Sequence, residues 1–175
     1  MTQGNRGMSF EAIIDLTNQR YDRLNLAVVN KRATPVKVLR ITNGRITSGY
    51  YEQPSTVDYD GLIPGGRAIV FEAKSVASLS RFDLKNLKDH QVDYLLKCHK
   101  MDGIAFLLVE FVKQNKIYLL PYTALRYYWT AYKAKKGSSS ISITDFEIHA
   151  YEVPKTRVPV DYLSVVNKLW QATGS

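Results

Sequence analysis

Cysteine is almost missing from this chain: Cys98 is the only one among 175 residues. A single thiol cannot close an internal disulfide, and its place among apolar residues at helical spacing reads as a buried thiol rather than a nucleophile. Long hydrophobic runs are missing too. The longest, Ile104 to Val109 with Phe111 and Val112 beyond Glu110, falls far short of the roughly 20 apolar residues that cross a bilayer, so no membrane partner is expected. Met1 to Gly7 contains no apolar segment of the secretory kind, and a cytoplasmic location is expected. His90, His99 and His149 show no spacing that converges on a metal, and each reads as structural or exposed. There is no internal repeat and no Gly/Pro-rich tract, which leaves an ordinary globular chain of 45% hydrophobic and 23% charged residues. At this length one domain, residues 1–175, is expected.

Acidic residues are scarce relative to basic ones. Sixteen Asp and Glu face 24 Lys and Arg, a formal net charge of +8, which suits a polyanionic partner, nucleic acid first among them. The same excess would also serve solubility alone.

Along the chain, Ser9 is a plausible N-cap, and Phe10, Ile13, Thr17, Tyr21 and Leu24 recur at helical spacing, predicting a helix over 9–24. Residues 26–29 read as a strand. Residues 36–41 and 46–51 flank Asn43-Gly44, the dipeptide that supplies the positive φ angles of a type I′ turn, so 36–51 is predicted to be a protruding hairpin arm. A second hairpin runs over 56–63, through Pro64-Gly65-Gly66, into 68–74. A helix is predicted over 83–101, strands over 104–112 and 117–122, and a helix over 122–133 with Leu125, Tyr128, Trp129 and Tyr132 as its inner stripe. Short strands around 141–143 and 147–153 and a helix over 160–172 complete the pattern. The sum is an α/β (α+β) domain: a mixed central sheet flanked by helices.

Chemistry is concentrated in the second hairpin. Alternation along a strand puts Glu72 and Lys74 on one face and Phe71 and Ala73 on the other. Thr56 and Asp58 share a face of the preceding strand, and antiparallel pairing through the Pro-Gly-Gly turn brings Asp58 next to Glu72. Converging carboxylates repel unless a proton or a hard cation sits between them, and oxygen donors favour magnesium, with manganese a substitute. Such a site suits phosphodiester hydrolysis, with Lys74 stabilising charge or orienting a water. Gln91, a primary amide on an apolar helical stripe, needs polar partners if buried and is a candidate for the same site. The plainer reading is that Asp58, Glu72 and Lys74 are solvated residues in weak surface pairs.

Gly4-Asn5-Arg6-Gly7-Met8, Thr34-Pro35, Gln53-Pro54-Ser55-Thr56-Val57-Asp58-Tyr59, Phe71-Glu72-Ala73-Lys74, Asp89-His90-Gln91 and Val160-Asp161-Tyr162-Leu163 occur in this order. In order and spacing they resemble the RecU family of Holliday junction resolvases over nearly the whole chain. The resemblance implies a restriction-endonuclease-like core, a homodimer, and magnesium-dependent paired nicks that resolve four-way junctions in branched DNA during recombination and repair. It places magnesium on Thr56, Asp58, Glu72 and Gln91 and transition-state charge on Lys74, and it makes a RecA-type recombinase a further candidate partner. The start of the chain close to the Gly-Asn-Arg-Gly motif, the short arm and Val57, where a second threonine is common in the family, resemble a phage version.

For DNA contact, Arg6 in its Gly-rich segment and Lys37, Arg40 and Arg45 on the arm are the candidates, the arm because a basic ribbon suits the phosphate-lined centre of a junction. Glu11 is left outside the metal set, since a carboxylate one turn into a helix favours the helix dipole in any case. Lys133 to Lys136 is either a solvated loop or a DNA contact. Two rival functions stay open: a non-catalytic DNA-binding or recombinase-modulating protein, and a repair or restriction nuclease with the same core.

Overall fold

The computed structural model describes residues 3–52 and 56–170, with side chains from Phe10 onward. Gln53-Pro54-Ser55 therefore lie outside the described residues, and Arg6 outside the described side chains. In chain order the elements are α1 (Gln3–Arg23), β1 (Val28–Lys31), β2 (Val36–Thr42), β3 (Arg45–Tyr51), β4 (Tyr59–Ile63), β5 (Arg67–Val76), β6 (Arg81–Asp83), α2 (Asp89–Lys100), β7 (Ile104–Phe111), β8 (Lys116–Pro121), α3 (Tyr122–Lys133), β9 (Ser140–Ser142), α4 (Ile143–His149), β10 (Tyr151–Glu152) and α5 (Tyr162–Trp170).

Six of these strands form one mixed sheet in the order β1-β4-β5-β7-β8-β10. Its β5–β7 pair is parallel, because the chain crosses over through α2, and the other pairs are antiparallel. Both faces of the sheet are covered. Ile69, Phe71 and Ala73 of β5, with Ile104, Phe106 and Leu108 of β7, pack with Phe10, Ile14 and Tyr21 of α1 and with Tyr162, Leu163 and Val166 of α5. Val70 of β5 and Ala105, Leu107 and Val109 of β7 pack with Val92 and Leu95 of α2 and Leu125 of α3. Near-continuous apolarity in β7 follows from this double coverage.

The arm is a separate two-stranded sheet, β2 with β3. Asn43 and Gly44 sit at its tip with φ of 51° and 73°, as the type I′ turn requires. Every residue of both strands is exposed.

Several predicted boundaries move. Helix α1 begins at Gln3, so Ser9 lies inside it and is not its N-cap. Strand β1 starts two residues later than predicted, after Asn25 turns the chain at φ 53°. The helix predicted over 83–101 begins only at Asp89: Leu84–Asn86 form a single 3-10 turn, and Lys88 is extended as the N-cap of α2. Leu84 and Leu87 are buried all the same, which is why they mimicked a helical stripe. Of the strand predicted over 147–153, residues 147–149 are the end of helix α4 and only Tyr151–Glu152 are strand; α4 is opened by a reciprocal cap in which the Ser142 hydroxyl accepts from the Asp145 N–H at 3.0 Å while Asp145 accepts from the Ser142 N–H at 3.2 Å. Cys98 is half-buried rather than buried; burial nevertheless pushes its thiol up, away from thiolate chemistry.

Candidate active site

The register of the β4–β5 hairpin sets the site. Tyr59 pairs with Phe71, and beyond that pair, at Asp58 and Glu72, the two strands separate. There side chains take over the hydrogen bonding of the ladder: the Asp58 N–H donates to Glu72 Oε2 at 3.2 Å, and the Ala73 N–H donates to Asp58 Oδ2 at 3.0 Å. The two carboxylates are thus fastened to each other's strand by backbone amides. On β5, Glu72 shares a face with Val70, the face that α2 covers, and its side chain is fully buried.

Glu72 Oε1 accepts from Lys74 Nζ and from Gln91 Nε2. Gln91 is the third residue of α2, and its own carbonyl oxygen accepts from the Lys88 N–H at 2.8 Å, capping the helix. One amide thereby starts α2 and ties it to the carboxylate. Burial pushes the Glu72 carboxyl up to about 8; the neighbouring Lys74 ammonium opposes the shift and the Asp58 carboxylate adds to it.

Asp58, Glu72, Lys74 and Gln91 are thus brought to one place, while Thr56, which precedes β4 instead of lying in it, bonds to Arg32; the site is less open than the sequence suggested. Both faces of β5 are packed, so Glu72 is not a solvated surface residue. Among the described residues no group of three or more His, Cys, Asp or Glu side chains could hold a metal; the candidate set has two carboxylates, extended by a hydroxyl and an amide. Glu11 lies beside this region and is engaged by Lys31 Nζ at 2.6 Å. Lys37, Arg40 and Arg45 are on the separate arm, exposed along with apolar Leu39, Ile41, Ile46 and Tyr51.

Sequence reasoning missed Arg32. It follows β1, which pairs with β4 and approaches it so closely at Gly61 that a Cβ there would lie 2.0 Å from the Val28 carbonyl oxygen. From the end of that strand the Arg32 guanidinium donates to Thr56 Oγ1, pairs with Asp60 Oδ2 at 3.2 Å and lies 5.1 Å from the centre of the Tyr94 ring. No local pattern marks it, because all three partners are distant in sequence. Lys133, at the end of α3, pairs with Asp89, the first residue of α2, at 2.8 Å.

A family model described as Recombination protein U matches residues 5–168. The chain belongs to the RecU family. Similar relatives include proteins named Holliday junction resolvase RecU from Staphylococcus carnosus, 36% identical over 95% of this chain and 82% of the relative, and from Lactococcus lactis, 37% identical over 95% of this chain and 79% of the relative. Among solved structures, Archaeoglobus fulgidus Hjc, a Holliday junction resolvase from an archaeal hyperthermophile, is similar with a TM-score of 0.44 and 11% identity over 77% of this chain and 92% of that one.

Proposed function

We propose that this RecU-family chain is a Holliday junction resolvase: a homodimeric, magnesium-dependent endonuclease that binds four-way DNA junctions and resolves them by paired symmetric nicks. The observation that carries the chemistry is the buried Glu72 carboxyl set against Asp58. Two carboxylates, the Thr56 hydroxyl and the Gln91 amide form an all-oxygen donor set of the kind hard divalent cations take, magnesium first and manganese in its place. A carboxyl that burial pushes up to about 8 even beside the Lys74 ammonium fits a cation site. A bound cation would lower the pKa of a coordinated water and offset charge on the pentacovalent phosphorus.

The protein groups divide the remaining work. Asp58 and Glu72, each hydrogen-bonded to a backbone amide of the other strand, hold the ligand oxygens at a fixed separation. Lys74, about a quarter exposed beside a fully buried partner, keeps an ammonium at the mouth of the site, where it stabilises developing phosphate charge or orients the attacking water. Gln91, whose amide oxygen here accepts from the Lys88 N–H, would hold the cation through that oxygen. The hairpin, the crossover helix and the parallel strand around this carboxylate pair support a restriction-endonuclease-like core.

The net charge of +8 supports DNA binding, and the arm's Lys37, Arg40 and Arg45 are the groups to enter the open centre of a junction. Arg6 is a further phosphate contact of this reading. Symmetric nicking needs two sites related by a two-fold axis, which a homodimer supplies, and the exposed apolar side chains of the arm suit burial against a second copy. Among the described residues no helix is long and apolar enough to cross a membrane, and the reading puts the protein in the cytoplasm with the DNA it cuts.

A synthetic four-way junction tests the proposal. The wild-type protein should nick it at symmetric positions in magnesium and leave it intact in chelator, while Asp58→Ala and Glu72→Ala should lose cutting and keep junction binding. A folded carboxylate variant that still cuts, or one that loses binding in step with cutting, would overturn the assignment.

A further inference from the structure

Arg32 stands where the chain leaves the sheet for the arm. Its N–H donates to the Asp58 carbonyl oxygen at 2.8 Å, carrying the β1–β4 pairing one residue past Lys31 and Tyr59. Its side chain then does three things at once. It donates to the Thr56 hydroxyl, pairs with the Asp60 carboxylate at 3.2 Å, and lies 5.1 Å from the Tyr94 ring centre. Thr56 belongs to the segment that delivers Asp58, Asp60 is in β4, and Tyr94 stands one turn after Gln91 in α2. A single guanidinium therefore joins the strand side of the site to the helix side.

The side chains of Arg32 and Asp60 are each about one-third exposed, at 35%, and Thr56 and Tyr94 are half-buried, with Tyr94 also packed against the core on the α2 side of the sheet. An ammonium cannot replace the guanidinium here. A planar fork can bond two oxygens in its own plane while its face meets a ring, and a compact point charge cannot. The Thr56 hydroxyl, accepting from a cationic donor, is also held in one orientation.

We propose that Arg32 is a positioning residue of the nuclease site: by joining Thr56, Asp60 and Tyr94 it sets the separation between the Asp58–Glu72 pair and the Gln91 end of α2 at which a divalent cation is held. This rests on the reading of Asp58, Glu72 and Gln91 as the cation site. Arg32 acts through those groups and needs no contact with the DNA.

The test uses the full chain and the variants Arg32→Lys, Arg32→Ala and Tyr94→Leu, the last removing the ring while leaving the arginine. Three quantities are measured: Mn2+ affinity of the DNA-free protein by calorimetry, junction affinity in Ca2+, and the single-turnover nicking rate at saturating enzyme. Outer residues that orient ligands typically contribute about 10- to 100-fold. Both Arg32 variants should weaken Mn2+ binding by about tenfold or more and slow nicking similarly, Tyr94→Leu should do so by about threefold, and junction affinity should stay within about twofold.

Rescue of both Mn2+ binding and rate by lysine would overturn the proposal, since charge alone would then suffice. A weakened junction affinity with wild-type Mn2+ binding would overturn it as well, making Arg32 a phosphate contact. A wild-type protein that binds no Mn2+ and cuts nothing would instead remove the cation-site reading, and this inference with it.

Discussion

The chain builds two hairpins within 41 residues, Val36–Tyr51 and Tyr59–Val76, and they are opposites. The first exposes every residue of its strands and pairs only with itself; the second is clamped between β1 and β7 and buries a carboxylate completely. An isolated two-stranded ribbon is marginal in water, so the arm adds little to the stability of the sheet, whereas the hairpin that holds Glu72 belongs to the core. On the proposed reading the division separates two tasks. Long-range attraction to phosphate needs exposure and tolerates motion, while cleavage needs groups held by packing.

That comparison breaks most decisively at Lys74, which lies on the buried hairpin yet reaches solvent. Lys74→Ala should lower the single-turnover nicking rate by about 100-fold or more, the size expected when a positioned electrostatic stabiliser is removed, and leave junction affinity within a few fold. Gel-shift titration and quenched-flow nicking on the same preparation separate the two effects. A variant with normal turnover and weakened affinity would move Lys74 to the side of the arm.

The arm should respond the other way. Replacing Arg40 and Arg45 with alanine should leave the melting temperature within about 2 °C, because both side chains are exposed, and reduce the dependence of log affinity on log salt by about 2, one for each phosphate no longer neutralised. Preference for a junction over linear duplex should fall with it. Unchanged selectivity in competition binding would put discrimination in the cleft rather than on the ribbon.

The smallest effect sharpens the contrast through pH. Glu72 titrates near 8 in the folded protein against 4.5 for its ordinary value, so its protonated form favours folding. That contribution is complete below about pH 4.5 and is lost as pH rises through 8. In chelator, the stability difference between wild type and Glu72→Gln should therefore shrink or reverse from pH 5 to pH 8, as read by denaturant melts. Saturating Mg2+ should abolish the slope. A pH-independent difference would mean that the carboxyl is already ionised in the metal-free protein.

What the sequence disclosed follows the range of the interactions. Helix α3 matched its predicted 122–133 span because Leu125 and its neighbours carry a local period, and Asp58 met Glu72 because a short turn fixes the register between them. Helix α4 was legible in principle from Ser142 and Asp145, a cap at three-residue spacing that apolar Ile141 and Ile143 masked with a strand-like look. The late start of α2 was hidden because buried Leu84 and Leu87 fit a helical stripe without forming one. Arg32 was beyond reach: its partners lie 24 to 62 residues away, and the pairing of β1 with β4 and the placing of α2 bring them together. Gln91 was noticed for its polarity, but its double duty, capping α2 while donating to Glu72, depends on where α2 begins.

The alternation of β5 carries a consequence for how the chain can change in length over generations. One residue gained or lost within the Pro64-Gly65-Gly66 turn that slipped the pairing would bring Phe71 or Ala73 to the place of Glu72 and exchange the two packed faces wholesale. The same event at the Asn43-Gly44 tip would disturb only a ladder that no other strand reads. Insertions and deletions should therefore accumulate at the arm and be purged from the neighbouring hairpin, so that this lineage varies in reach while its cutting centre keeps a constant spacing.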